Sequence, residues 1–196
     1  MINIGIRMDK GDLLEIAKAY QLNPDVLEAI MLTETSGEGY YTDTNKPKIR
    51  FENHWFDKLT KGKYKDSHPH ITIPFWVKNY NKQGLEEIGR FDEAFELDEV
   101  AACLSTSWGI GQVMGFNYAK CGFADVFEFV KAMFISEKLQ FSAMMEYIKN
   151  TPKLLPALQK EDMDTFFKGY NGEDYKQYEY DIKFYKHLNN LRNAKR

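Results

Sequence analysis

The sequence predicts a mainly α-helical domain with one small β-hairpin, and three observations point there. Most of the chain falls into segments whose apolar residues recur at helical spacing, several opened by a capping residue. One stretch, Tyr40 to Phe51, breaks that rhythm with a turn-rich centre between apolar flanks. A chain of 196 residues that is 43% hydrophobic and 15% aromatic can bury one sizeable core and has no room for two large domains, so residues 1–196 read as one unit.

The elements follow in order. Gly11 to Tyr20 reads as a short helix with Leu13, Leu14 and Ala17 on one face. The next helix is better marked: Asn23 is the N-cap, Pro24 takes the first helical position, and Asp25 complements the positive end of the helix dipole. Val26, Leu27, Ile30 and Met31 give its apolar face, and Gly37 is expected to stop it in a left-handed conformation, which leaves Glu34 in the last turn. Asp43, Thr44, Asn45 and Pro47 then form the turn of the hairpin. A short helix around His54 to Leu59 and a long ordered loop over 62–84 come next. Helices are expected over 85–98 and 99–105, with another entering at about Gly109. Residues 125–149 read as one long central helix, opened by Asp125 and Glu128 in a capping-box arrangement. Its core stripe is Phe127, Phe134, Phe141 and Ile148, with Val130 and Met144 beside them. Two short helices around 152–159 and 162–168 precede a terminal helix that carries Ile182, Tyr185, Leu188 and Leu191.

Composition narrows the function classes. A net charge of −3 with no basic stripe along the chain argues against a nucleic-acid partner. The local patches, Lys58, Lys61, Lys63 and Lys65 and the tail from Lys183 to Arg196, read as a solvated loop and helix end or as weak attraction to an anionic surface. Cys103 and Cys121 do not form a disulfide framework and are expected as free, mostly buried thiols of a protein made in a reducing cytoplasm. The N-terminal stretch lacks the apolar core of a signal peptide, and no run suits stable membrane insertion.

Three separated segments carry the chemistry. They are Glu34-Thr35-Ser36-Gly37 after the second helix, Ser107 to Met114 in mid-chain, and Gly169-Tyr170-Asn171-Gly172 late in the chain. Together they resemble, in order and spacing, the sequence marks of the lysozyme and lytic-transglycosylase superfamily. More closely, Leu13 to Leu191 is similar to the N-acetylmuramidase domain of phage endolysins, above all at Pro47 to His54, Ser107 to Ala119 and Lys168 to Tyr175. That resemblance implies an α+β lysozyme-like fold, a helical domain whose small β-hairpin lies beside the catalytic cleft. It also implies a monomeric, cofactor-free and metal-free hydrolase of the β-1,4 bond between N-acetylmuramic acid and N-acetylglucosamine in peptidoglycan glycan strands. Such an enzyme accumulates in the host cytoplasm and reaches the wall after the membrane is breached.

Glycoside cleavage needs a proton on the bridging oxygen as the sugar becomes oxocarbenium-like. An ordinary glutamic acid is already ionised at neutral pH. Burial, and the negative end of a helix, would both keep Glu34 protonated. Glu34 is therefore the candidate general acid. Glu52, at the end of the second hairpin strand, is the candidate base or electrostatic stabiliser, with Arg50 or His54 keeping it ionised; a plain salt bridge is its other reading. Asp43 reads as a turn residue.

Ser107 to Met114 reads either as the cleft floor or as a tight helix contact that needs small residues. On the first reading Gly109 and Gly111 admit the substrate, Gln112 bonds an acetamido group, Ser107 and Trp108 position the acid or stack on a sugar, and Met114 completes the surface. Tyr170 and Asn171 form the opposite wall, with packing as the alternative for Tyr170. Three rivals remain open. A lytic transglycosylase would use the same Glu34 with the sugar's own hydroxyl as nucleophile. A zinc peptidase would draw on His68 and His70 with His54 or His187, although no HExxH is present. A non-catalytic wall-binding protein would have no use for the acid.

Overall fold

The computed structural model describes residues 4–74 and 85–195, so part of the expected loop over 62–84 lies outside the described residues. Its helices and strands run in the order α1 (Lys10–Ala19), α2 (Pro24–Thr35), β1 (Ile49–Phe51), α3 (Asn53–Leu59), α4 (Leu85–Leu97), α5 (Glu99–Leu104), β2 (Thr106–Trp108) and β3 (Val113–Met114). They continue with α6 (Val126–Ile135), α7 (Glu137–Lys149), α8 (Leu154–Gln159), α9 (Met163–Asn171) and α10 (Tyr180–Asn193). The fold is mainly α with a small three-stranded antiparallel sheet.

Helix α1 buries Leu13, Ile16 and Ala17, while Leu14, expected on that face, points outward. Helix α2 begins as the sequence implies: the Asn23 side chain accepts from Asp25 N, and Pro24 leads the first turn. Its left-handed stop comes one residue before the expected glycine, because Ser36 itself adopts φ 58° and Gly37 follows at φ 83°.

The expected hairpin over Tyr40–Phe51 survives only as a single bridge between Tyr40 and Pro47. Strand β1 instead pairs with β2, and β2 with β3, in the order β1-β2-β3. The true hairpin is therefore Thr106 to Met114, where a helix entering near Gly109 was expected. Gly109 (φ 66°) and Gln112 (φ 48°) take left-handed conformations that suit a tight turn between strands and would interrupt a helix.

The expected long helix over 125–149 is two helices. Ser136 is extended, its Oγ accepts from Leu139 N as an N-cap, and it bridges to Ile6. A serine that can bond the backbone ahead of it opens a new helix in preference to continuing the old one. The break leaves Phe127 exposed, so the seven-residue stripe holds only in its second half. There Phe141, Met144, Met145 and Ile148 are fully buried, and α7 is the helix at the centre of the core. In α10 the inward residues are Phe184 and Leu188; Ile182 and Tyr185 face out. Cys103 and Cys121 are free and buried, and burial pushes both thiols up to about 12. Among the described residues no helix is long and apolar enough to cross a membrane.

Candidate active site

The end of α2 is pinned before any chemistry is considered. Lys48 Nζ donates to Thr35 O at 3.2 Å, and Thr35 Oγ1 donates to Ile110 O at 3.3 Å. Gly109 N donates to Lys48 O at 2.8 Å, so the helix end, β1 and the β2–β3 turn form one corner. Glu34 sits in that corner.

Its carboxyl Oε1 accepts from Asn171 Nδ2 at 3.0 Å. Burial pushes the Glu34 pKa up to about 7, against the opposing pull of the Asn171 amide, which favours the charged form. The Lys48 ammonium donates to one of the last carbonyls of the helix, Thr35 O. Desolvation holds the proton.

Helix α9 supplies the facing wall. Asp162 caps it by accepting from Thr165 N, and its last turn carries Tyr170 and Asn171. Tyr170 stacks on Phe166, with centroids 5.3 Å apart, and donates its hydroxyl to Gly111 O at 2.7 Å. Burial, then the nearby Glu34 charge, raises its pKa well above the ordinary value. Tyr170 is thus both close to the acid and a packing strut between α9 and the hairpin turn. Tyr180, at the start of α10, was not anticipated. Burial, then Glu34, raises its pKa, while Asn171 and Arg50 pull it back, so it lies within electrostatic reach of all three. The signal was available only as one tyrosine among several between Tyr170 and Tyr185.

On the sheet, Arg50 and Glu52 stand two residues apart on one face of β1 and its extension. Glu52 Oε1 lies 3.1 Å from Arg50 Nε and Oε2 lies 3.6 Å from His54 Nδ1, so the carboxylate lies between two basic groups. Burial lowers the His54 pKa and the Glu52 charge raises it. Asp43 sits in an exposed turn.

The mid-chain segment divides. Met114 is half-buried and pairs with Ser107. Ser107 is buried and donates to Gln112 Oε1 at 3.1 Å, while Gln112 Nε2 donates to Gly109 O at 2.9 Å. Both ends of the Gln112 amide are engaged by its own turn. Trp108 is only 1% exposed, packed between Phe91 and Phe134, with its indole N–H on Cys103 O. It is a core residue, which corrects the expectation that it stacks on a sugar: its strand turns that side chain to the core face, opposite Ser107.

The glycines are also structural. A Cβ on Gly109 would lie 2.7 Å from the Gln140 side chain, and one on Gly111 would lie 2.7 Å from Met144. The close approach is to α7, not to substrate. Gln140 and Glu137, which sequence reading passed over, hold this side together. Gln140 Oε1 accepts from Ile110 N at 2.9 Å and its Nε2 donates to Met133 O at 2.8 Å. Glu137 accepts from Gly39 N, Met8 N and Arg7 at 2.8–3.0 Å. Both side chains are buried, and only their partners in space reveal them.

His68 and His70 meet at the Glu93 carboxylate, with His70 Nε2 2.7 Å from Glu93 Oε2. Among the described residues no group of three or more His, Cys, Asp or Glu side chains is arranged to hold a metal ion.

Comparisons with known proteins bear on the family and the fold. A family model described as Muramidase, N-acetylmuramidase, matches residues 23–192. Among solved structures, the chain is similar to the Burkholderia AP3 phage endolysin, with a TM-score of 0.83 and 27% sequence identity over 97% of this chain and 72% of that one. No curated protein matches it.

Proposed function

Because the chain belongs to the N-acetylmuramidase family and is a glycoside hydrolase acting on peptidoglycan, we propose that Glu34 is its general acid. The bond cleaved is then the β-1,4 link between N-acetylmuramic acid and N-acetylglucosamine. The observation that carries this reading is the Glu34 carboxyl itself, desolvated to a pKa of about 7 and bonded on one oxygen by Asn171. An acid poised near the working pH combines a protonated population with a strong tendency to give that proton up. The Asn171 N–H on Oε1 leaves Oε2 to carry the proton toward the bridging oxygen.

Glu52 acts as the base or as the electrostatic partner of the oxocarbenium-like sugar, held by Arg50 and His54. Tyr170, Asn171 and Met114 line the bound glycan, and Ser107 and Gln112 brace the turn beneath it. The likeness to a phage endolysin supports action on the bacterial wall during lysis, after synthesis in the host cytoplasm.

Mass spectrometry of the released muropeptides tests the reaction. Free reducing ends are expected, and Glu52→Gln should slow their release by roughly a hundredfold. Products ending in 1,6-anhydro sugars would reassign the chain to transglycosylation by the same acid.

The pH profile tests the acid. Turnover should fall as pH rises through about 7, where Glu34 loses its proton. Because the Asn171 bond lowers that pKa, Asn171→Ala should move the alkaline limb of kcat/KM to higher pH and cut its maximum roughly tenfold. An alkaline limb left where it was would break the link between Asn171 and the acid.

A further inference from the structure

We propose that Trp55 and Phe116 form a sugar-stacking subsite at the far end of the cleft, a reading that rests on the glycan assignment above. The argument starts from the sheet. Arg50 pairs with Ser107 and Ser107 with Met114, so these three residues form one row across a single face. The pairing of β1 continues one residue further, where Glu52 N donates to Ser105 O at 3.0 Å.

Helix α3 starts there, with Trp55 N on Glu52 O at 2.9 Å, so Trp55 belongs to the first turn after the second carboxylate. The chain leaving β3 brings Phe116 to the same place two residues after Met114. The Trp55 and Phe116 rings lie 4.9 Å apart, tilted by 55°, and the Trp55 and His54 rings lie 5.7 Å apart. His54 in turn contacts Glu52. The Lys58 ammonium, 4.4 Å from the indole centroid, steadies that ring by cation–π attraction.

Phe116 is 38% exposed and Trp55 half-buried, whereas Trp108 is sealed in the core. An accessible aromatic pair joined to a cleft carboxylate suits the apolar C–H face of a pyranose, with polar groups alongside for its hydroxyls. Distance fixes which part of the glycan it meets. Glu34 belongs to the Lys48 end of β1, through the Lys48–Thr35 bond, and the aromatic pair belongs to the Glu52 end. Four residues of backbone, roughly 13 Å, run from Lys48 to Glu52. On the reading above, the two carboxyl side chains close on one bond from the ends of that span. The aromatic pair, reached from Glu52 through His54, meets a sugar beyond that bond. The pair therefore serves long glycans and discriminates against short ones.

Peptidoglycan-derived glycan oligomers of graded length, assayed by release of reducing ends, test the subsite. For the unaltered enzyme KM should drop once the oligomer is long enough to place a sugar there. In Trp55→Ala that drop should vanish, with KM for long oligomers raised roughly tenfold and the loss falling on KM rather than kcat. Trp55→Tyr, which keeps a ring, should restore most of it. Should Trp55→Ala fail to fold, Phe116→Ala gives the same readout. Length dependence unchanged from the parent in the folded variant overturns the proposal.

The glycan reading itself is separated by binding. Calorimetry with the same oligomers on a Glu34→Gln background reads occupancy without turnover, and affinity for long oligomers should fall in the Trp55→Ala double variant. If no oligomer of any length is cleaved by the parent, the catalytic reading fails, while the calorimetry still decides the subsite. Equal affinity with and without the indole rules the subsite out.

Discussion

Glu34→Gln is expected to cut turnover of purified peptidoglycan by roughly a thousandfold and, above neutral pH, to make the protein more stable. Both effects come from the same desolvated carboxyl. Glutamine keeps the shape and can still accept from Asn171 Nδ2, but it has no proton of suitable acidity to give. The stability effect follows from linkage. The folded pKa of about 7 lies above the ordinary value of 4.5, so between those values the native state binds more protons than the unfolded chain. Stability conferred at low pH is therefore lost as pH rises toward 7, and above 7 the folded protein carries a charge held away from water. That costs on the order of 3 kcal/mol, which the neutral amide relieves. Thermal melts of both proteins at about pH 5 and about pH 8 should converge at the lower pH and separate at the higher, with the variant melting later. A Glu34→Gln protein that clears a cell-wall suspension at the parental rate would remove the acid from the mechanism.

Gly109→Ala is expected to destabilise the fold by about 3 kcal/mol, an effect on packing rather than on substrate. Gly109 has φ 66°, a region where a Cβ costs about 1 kcal/mol. The added carbon would also lie 2.7–2.8 Å from Gln140 Cδ, Cγ and Oε1. Gln140 has nowhere to retreat, because it is buried and bonded at both ends to Ile110 N and Met133 O. Overpacking of that kind costs about 1–3 kcal/mol more. Urea unfolding should show the loss as a shifted midpoint with an unchanged slope. A variant of parental stability whose KM alone had risen would return Gly109 to the substrate surface.

What could be read from the amino-acid order divides along a physical line. Local chemistry was legible. Asn23 and Pro24 set the start of α2, which puts Glu34 in its last turn. Tyr170 and Asn171 close α9 beside the acid, in the short motif where they were expected. Pairing between distant segments was not legible. Two short strands, Ile49–Phe51 and Thr106–Trp108, find each other across more than fifty residues, and neither has enough length for its alternation to stand out. The same blindness put the hairpin at Tyr40–Phe51 instead of Thr106–Met114 and left Gly109 and Gly111 open between substrate and a tight helix contact. Their true neighbours, Gln140 and Met144, lie a helix away. Ser136 broke a seven-residue pattern that looked continuous, because its hydroxyl caps a new helix and the Ile6 segment docks in the gap. Tyr180 and Glu137 had no motif to announce them, since their roles exist only in the folded chain.

The anchoring by Glu137 and Gln140 has a dynamic consequence. Two neighbouring side chains of one helix hold Met8 N, ahead of α1, Gly39 N, after α2, and Ile110 N, in the hairpin turn. Letting go of Met8 N or Ile110 N strands a buried acceptor, whereas Glu137 Oε1, released by Gly39 N, keeps its bond from Arg7. Local opening of any of the three segments therefore acts on the same short stretch of α7, and hydrogen exchange at Met8, Gly39 and Ile110 is expected to slow together.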